Sequence, residues 1–197
     1  MAKEKAYIPA LNFHWLTPLY DPVARWLTPE ARFKRQMIER AGIGAGSRVL
    51  DVGCGTGTLA VLIKQSCPDA AVFGLDADPD VLDIAYGKAA RAGVSLDLQL
   101  GFADNLPYAD GSFDRVFSSM MLHHFTMDEK RLVLADISRV LRPDGELHVA
   151  DFGHDNKMMP DLFFEAGLEK NGEYAVYWTL FGRLLLWQTR HRAQART

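Results

Sequence analysis

This sequence of 197 residues contains few cysteines, no long apolar run and no excess of basic residues. The two cysteines, Cys54 and Cys67, do not have the spacing of metal ligands, and two cysteines do not make a disulfide framework. No apolar run approaches the roughly 18 residues of a membrane span. We therefore expect neither a metal site nor stable insertion into a membrane.

The charge balance also bears on the class of partner. Lys and Arg together number 22 against 25 Asp and Glu, which gives a formal net charge of −3. Nucleic-acid-binding proteins usually carry a basic field, so we expect no nucleic-acid partner. The charged residues 1–5 are not followed by an apolar signal core, because Pro9, Asn12 and His14 interrupt it. The sequence therefore indicates a cytoplasmic protein.

Length and local composition predict one domain over residues 1–197, since domains cluster near roughly 100 to 200 residues. We divide it into an N-terminal helical lid or cap segment, residues 1–45, and a core, residues 46–197. Residues 1–28 combine prolines with aromatic side chains that something must cover, so this part forms either a lid or a plug. The aromatic residues include Tyr7, Phe13, Trp15, Tyr20 and Trp26.

The most informative stretch is Val49–Gly57, where strand-forming residues run into glycines at alternate positions. An apolar, helix-competent stretch follows, so the pattern predicts a strand, a tight turn and a helix. Such a turn lets a ligand approach the backbone, and the new helix offers it free N–H groups. Thr58 stands where a dinucleotide fingerprint needs its third glycine, which disfavours a nicotinamide cofactor. A tight turn without any ligand is the alternative for this pattern taken alone.

Strand and helix patterns alternate along the rest of the chain. This alternation predicts an α/β fold with a Rossmann-like, doubly wound, mostly parallel sheet of seven strands, whose ligands bind outside the carboxyl ends of the strands. The last two strands are separated by only four residues, so they form a C-terminal antiparallel hairpin. The predicted strands are residues 49–52, 71–76, 96–100, 113–117, 146–150, 173–179 and 184–189, and the predicted helices after the first turn include 79–92, 128–141 and 161–166.

Two acidic residues lie at predicted strand ends. Asp76, followed by Ala77, ends the strand after the glycine turn, where a carboxylate can accept both hydroxyls of an adenosine ribose. The alternative is an N-cap or turn aspartate. Asp104 ends the next strand region, where it can bind the amino edge of adenine while Phe102 or Leu106 covers the ring. It can instead simply cap a turn.

The successive motifs resemble those of class I S-adenosylmethionine-dependent methyltransferases, in the branch that includes the menaquinone and ubiquinone C-methyltransferases. They read VLDVGCGTG, GLDADPDVLDIA, GFADNLPYADGSFDRVFSSMMLHHF and LRPDGELHVADFG. The resemblance covers residues 15–153 and the closing hairpin. It implies S-adenosylmethionine as methyl donor, S-adenosylhomocysteine as product, and methyl transfer by in-line displacement to a small acceptor of apolar or quinone-like character.

The same resemblance implies roles for individual residues. Asp76 would bind the ribose, and Ala103 with Asp104 would bind the adenine. Ser119 would line the donor site after the fourth strand, and Tyr20 would lie over the cofactor. The methionine portion of the donor would be held by Asp51, Gly53, Cys54, Gly55, Thr56 and Gly57.

Two histidines follow the fourth strand, at the expected crevice. A methyltransferase mainly has to align the acceptor and, where the acceptor is protonated, remove its proton. His123 or His124 can be that base, since imidazole titrates near neutral pH. The alternative is that both side chains only hold the loop by hydrogen bonds to the backbone.

The acceptor region is shorter than is common in this family. A longer helical insert usually lies between the positions of Asp151 and Glu173, whereas only residues 154–172 intervene here. Either the N-terminal aromatic segment covers the acceptor, or a second subunit does, or catalysis is weakened, so both a monomer and a homodimer remain open. The alternative function is a protein that binds S-adenosylmethionine with weak or no catalysis. A nucleic-acid methyltransferase is disfavoured, because Ser118–Met121 lacks the Pro-Pro-aromatic stretch that base-methylating enzymes often carry there.

Overall fold

The structure is a computed structural model, and it describes residues 30–152, 158–179 and 182–191. The expected N-terminal lid is therefore described only from Glu30 onward. The predictions for residues 1–29, including the role of Tyr20, lie outside the described residues.

Seven strands in the described part of the chain form one sheet, in the order β3-β2-β1-β4-β5-β7-β6. They are β1 (Arg48–Val52), β2 (Ala71–Asp76), β3 (Asp97–Leu100), β4 (Phe113–Ser119), β5 (Leu141–Phe152), β6 (Leu168–Thr179) and β7 (Gly182–His191). Strand β1 pairs in parallel with β2 on one side and β4 on the other. The winding direction therefore reverses at β1, and a crevice opens between the carboxyl ends of β1 and β4.

The last strand, β7, lies between β5 and β6 and is antiparallel to both. Phe152, at the carboxyl end of β5, pairs with Leu184 near the start of β7. The end of β6 and the start of β7 thus lie at the same edge of the sheet as the crevice. This arrangement confirms the predicted mostly parallel sheet with a C-terminal antiparallel hairpin.

Five α-helices lie within the described ranges, along with a short 3₁₀ helix at Leu122–His124. The longest two have 14 residues each, and none of the helices in those ranges has both the length and the apolar character needed to cross a membrane. The α-helices are α1 (Glu30–Ala41), α2 (Thr58–Ser66), α3 (Pro79–Ala92), α4 (Met127–Val140) and α5 (Met159–Glu165).

Local sequence signals fix the helix ends. The Asp78 side chain caps α3 by accepting a hydrogen bond from the backbone of Asp80, and α3 ends at Gly93, which adopts a left-handed conformation. At α4, Thr126 and Glu129 form a reciprocal capping box. The predicted bounds of α3 and α4 therefore agree with the structure to within a residue.

The sheet is covered by helices on both faces because successive strand residues point in opposite directions. Val49 packs with α1 and α2 in one buried cluster, together with Phe117 and Leu186. Its neighbour Leu50 packs with α4 and α5 in a second cluster on the other face. Trp187, fully buried, fills that second cluster beside Phe163 of α5.

Strand β6 begins five positions earlier than predicted, at Leu168 instead of Glu173. The residues between are mostly polar and do not alternate with apolar ones, so the sequence carried no strand pattern there. Backbone pairing with β7 extends the strand nevertheless, and Glu169 accepts a hydrogen bond from Arg190 at 2.8 Å across the pair. An edge strand tolerates such polar residues because one of its sides has no neighbouring strand.

Strand β5 also begins early, at Leu141 instead of Glu146. Leu141 is buried and pairs with Phe113, and the register then shifts before Arg115 pairs with Glu146. The Pro-Asp-Gly sequence at residues 143–145, which is typical of a turn, is therefore an irregularity within the β4–β5 ladder and not a connection that precedes the strand.

The start of helix α2 lies close against α3 at Gly57, the last glycine of the turn. Gly57 has a φ of 72°, in the left-handed region. A Cβ atom added there would lie 2.8 Å from the Cβ of Ala85 and 3.3 Å from its Cα. Both the backbone conformation and the space therefore require glycine.

Replacing Gly57 by alanine should cost more stability than the same change at Gly93. Gly93 also has a positive φ, of 67°, but nothing lies within 4 Å of an added Cβ. We expect a loss of about 1 kcal/mol for Gly93→Ala from backbone strain alone and of about 3 kcal/mol for Gly57→Ala from strain and overlap together. Urea unfolding of both variants measures the difference, and equal losses would contradict the close approach of α2 to α3.

Candidate active site at the carboxyl edge of the sheet

The glycine turn is held to the neighbouring strand by backbone hydrogen bonds. The N–H groups of Gly53 and Cys54 both donate to the carbonyl of Leu75, at 2.8 and 3.0 Å. A Cβ atom at Gly53 would lie 2.5 Å from the sulfur of Met121. The turn after β1, the end of β2 and the loop after β4 therefore meet at Gly53, beside the crevice.

Asp76 lies at the end of β2 and holds the glycine turn at Gly55. One carboxylate oxygen accepts the N–H of Gly55 at 2.7 Å, and the other accepts the N–H of Asp78 at 3.0 Å. Burial raises the pKa of Asp76, and these two hydrogen bonds oppose the shift. Because the N-cap of α3 is Asp78, Asp76 is not an N-cap, and its carboxylate retains lone-pair capacity for a ligand beside the backbone N–H groups that it binds.

Asp51 is the most unusual charged residue of the site. Its side chain is 1% exposed, and neither carboxylate oxygen has a hydrogen-bond partner within the described part of the chain. Burial raises its pKa to about 7, an effect that Lys34 opposes and Asp76 reinforces. The N–H of Ala60 adds only a weak favourable interaction. A buried carboxylate in this state is suited to receive a cationic group.

Cys54 and Thr56 belong to the turn, and both of their side chains contact other parts of the protein. The Cys54 thiol packs with Leu82 and Leu98 on the α3 side, and burial raises its pKa. The Thr56 hydroxyl accepts a hydrogen bond from the Lys88 ammonium at 2.9 Å, and the same ammonium donates to Thr58 at 2.5 Å. The side chains of these two residues therefore support the turn from within the protein.

The predicted adenine residues lie in a loop and not at a strand end. Strand β3 already ends at Leu100, and the following Gly101 N–H donates to the Asp76 carbonyl at 2.9 Å. The loop therefore stays beside Asp76 and Ala77. Ala103 is buried in the core, and Asp104 is half-buried.

Of the two side chains considered as a cover for adenine, only one is available. Leu106 is 3% exposed and packs in the core with Phe113 and Leu134. Phe102 is 44% exposed. The structure therefore leaves Phe102 as the residue of this loop that can cover a flat ring.

The two histidines after β4 differ in their surroundings. His123 Nδ1 lies 2.7 Å from the carboxylate of Asp151, which accepts a hydrogen bond from it when Nδ1 is protonated, and the backbone N–H of His123 donates to the same carboxylate at 3.2 Å. The ring of His124 contacts that of His123 in a tilted arrangement, with centroids 4.0 Å apart and an interplanar angle of 41°. Burial and the neighbouring His123 lower the pKa of His124. His123 is therefore held by a side-chain carboxylate, which neither sequence alternative included.

Asp151 is the residue that sequence reasoning missed. It lies near the carboxyl end of β5, is 4% exposed, and also accepts the N–H of Phe152 at 2.7 Å. Its oxygens thus hold the His123 ring from a rigid strand. An acidic residue that follows the apolar run of a strand adjacent to β4 was the available signal. Ser119, predicted to line the donor site, is half-buried in the last position of β4.

Comparison with known proteins agrees with this architecture. Residues 49–145 match the family described as "Methyltransferase domain". The chain is 36% identical over 142 residues to the demethylmenaquinone methyltransferase of Thermus thermophilus, covering 71% of this chain and 64% of that protein. It is 35% identical over 153 residues to the O-methyltransferase rstn1 of Aspergillus nomiae, covering 76% and 62%. The chain thus spans less than two thirds of the length of these curated relatives.

Solved structures share the fold. The cyclase SpnF superposes with a TM-score of 0.73 at 21% identity, covering 83% of this chain and 81% of that chain. A methyltransferase of Methanosarcina mazei superposes with a TM-score of 0.72 at 16% identity, covering 80% and 98%.

The family resemblance read from the motifs is therefore confirmed by independent matches of sequence and fold. The chain belongs to the class I S-adenosylmethionine-dependent methyltransferases, in the branch of its demethylmenaquinone methyltransferase relatives.

Proposed function

We propose that this protein transfers a methyl group from S-adenosylmethionine to a small acceptor that carries an ionisable hydroxyl group. The observation that carries the proposal is the pairing of His123 with Asp151 at the carboxyl edge of the sheet, next to the glycine turn. When bound, S-adenosylmethionine would supply an electrophilic methyl group, which the acceptor oxygen attacks in line with the bond to sulfur, so that the sulfur leaves as the thioether of S-adenosylhomocysteine. The protein then has to bind both partners and remove the proton of the acceptor.

The residues of the crevice fit this donor. The buried, unpartnered carboxylate of Asp51 would hold the ammonium group of its methionine portion. The free lone pairs of Asp76 would accept the ribose hydroxyls. The loop that contains Ala103 and Asp104 would bind the adenine, with Phe102 over the ring. The backbone of the glycine turn would contact the donor between these points.

His123 is the general base in this proposal. If Nδ1 carries the ring proton and donates a hydrogen bond to Asp151, the lone pair of Nε2 can take a proton from the acceptor. Asp151 then also stabilises the imidazolium that forms. His124, whose pKa is lowered, would remain neutral and support the His123 ring through their tilted ring contact.

The surroundings of His123 favour an aromatic acceptor. The Phe152 ring lies edge-on to the imidazole with centroids 5.2 Å apart, which gives this part of the crevice an apolar wall. A phenol or a quinol combines a flat apolar ring with a weakly acidic hydroxyl group. The relatives whose names specify a quinone acceptor or O-methylation support the same class.

A second candidate function is binding of S-adenosylmethionine without methyl transfer. It is favoured by the short connection between β5 and β6, in which α5 has only seven residues. Assays of methyl transfer to a panel of phenols and hydroquinones, with tritium in the transferred methyl group, separate the two candidates. Binding without transfer to any member of the panel would favour the second candidate.

Changing Asp76 to asparagine should weaken S-adenosylhomocysteine binding by about ten- to hundredfold, because the ribose loses a charged hydrogen-bond acceptor. Asp78→Asn is the matched control, since asparagine caps a helix as well as aspartate does, and it should change the affinity by no more than about twofold. Isothermal titration calorimetry gives both dissociation constants. Equal losses in the two variants would argue against a ribose site at Asp76.

Changing His123 to glutamine should lower kcat about 10²- to 10⁴-fold for a phenol that is protonated at the assay pH, without a matching change in donor affinity. A phenol that is already ionised at that pH does not need a base, so its rate should fall by less than about tenfold. Asp151→Asn should resemble His123→Gln, and His124→Gln should have a small effect. Equal losses with both phenols would exclude His123 as the base.

A further inference from the structure

Helix α1 contributes a buried ion pair that the proposed reaction does not use. The ammonium of Lys34 lies 2.5 Å from the carboxylate of Glu30, one turn earlier in the helix. Glu30 is 5% exposed and Lys34 is 8% exposed. Long charged side chains are rarely this buried, and removing both from water is costly, so a surface role does not explain them.

Lys34 also acts on Asp51 of β1, which faces the same helical layer. Of the charges that act on Asp51, Lys34 is the one that favours the ionised carboxylate, while Asp76 at the end of β2 disfavours it. Burial raises the pKa of Cys54 in the turn, and the charges of Asp51 and Asp76 both add to that shift. From α2, Asp51 is approached by the N–H of Ala60. On β4, its register neighbour is the uncharged Phe117.

The charge of the three residues is unbalanced. With all groups ionised, Glu30 and Asp51 carry two negative charges against the single positive charge of Lys34. One negative charge is therefore left uncompensated. It lies on the buried Asp51, whose oxygens lack a hydrogen-bond partner in the described structure. A buried charge of this kind is stabilised only by a counter-charge or by taking up a proton.

We propose that Glu30, Lys34 and Asp51 form one buried charge cluster that is completed by the ammonium group of the donor, and that Lys34 is the positioning residue that holds Asp51 as the carboxylate that receives this group. This inference rests on the proposed function, since it needs a donor with an ammonium group beside Asp51. Glu30 holds the Lys34 side chain in place and balances its charge, so that Lys34 does not repel the incoming ammonium group.

The cluster links donor binding to proton release. In the free protein, Asp51 is protonated below about pH 7, and the ammonium group binds the ionised form. Affinity should therefore rise as the pH rises toward 7 and level off above it, because no proton then has to leave. Without Lys34, ionisation of Asp51 is less favourable, and the levelling-off moves to higher pH.

The test compares two ligands of the full chain from about pH 5 to about pH 7.5, a range in which Asp51 titrates. S-adenosylhomocysteine has the ammonium group. 5′-Methylthioadenosine lacks the whole amino-acid portion but keeps the ribose and adenine. The ratio of their dissociation constants, from isothermal titration calorimetry, cancels any titration of Asp76. Calorimetry in two buffers of different ionisation enthalpy counts the protons released.

For the wild type we expect the ratio to change by up to about tenfold per pH unit below the levelling-off near neutral pH. Lys34→Met should raise the pH at which the ratio of dissociation constants levels off by about one unit, so that the ratio still changes at the upper end of the pH range. Lys34→Arg should restore the wild-type profile. Asp51→Asn should remove both the pH dependence and the proton release, alone and combined with Lys34→Met.

The outcomes separate this inference from the proposed function. If wild-type protein binds neither ligand, the proposed function fails, and this inference fails with it. If both ligands bind but the Lys34→Met profile equals that of the wild type, only the charge cluster is refuted. If Lys34→Met weakens 5′-methylthioadenosine as much as S-adenosylhomocysteine, Lys34 has a general structural role and the inference is again refuted.

Discussion

The hydrogen bond from the Gly55 N–H to the Asp76 carboxylate is the interaction on which the site depends most. It joins the turn after β1 to the end of β2, and the Leu75 carbonyl strengthens the same junction through Gly53 and Cys54. Two parallel strands end side by side, but their ends alone do not fix the path of the chain beyond them. The carboxylate does so, and it leaves lone pairs directed away from the backbone groups that it already binds.

The residues proposed to bind the donor could be singled out from sequence because their signals are local. The turn at Gly57 needs a left-handed residue and space against Ala85, so the glycine spacing itself reports the structure. Asp76 follows an apolar strand directly. In both cases, the residue and the strand or helix pattern that identifies it lie within a few positions of one another in the sequence. The fold was predicted from local patterns of the same kind.

The acceptor side and the charge cluster could not be predicted in this way. Asp151 and His123 are 28 positions apart, and they meet only because β5 lies beside β4 in the sheet. Lys34 belongs to the amphipathic pattern of α1, in which a lysine ordinarily points to water. Its burial depends on where α1 packs, a property of the whole fold. The early start of β6 was missed for a related reason, since pairing with β7 outweighs its polar composition.

The position of β7 has a consequence for how the chain reaches this structure. It follows β6 along the chain yet fills the place between β5 and β6, so until β7 arrives β6 has no strand beside it and β5 has none on the side away from β4. During synthesis, the part of the sheet beyond β5 therefore waits for almost the last residues of the described chain. Until then β5, which has apolar side chains on both faces, presents an open edge on that side. Insertion of β7 is accordingly the step that covers this edge in a newly made chain.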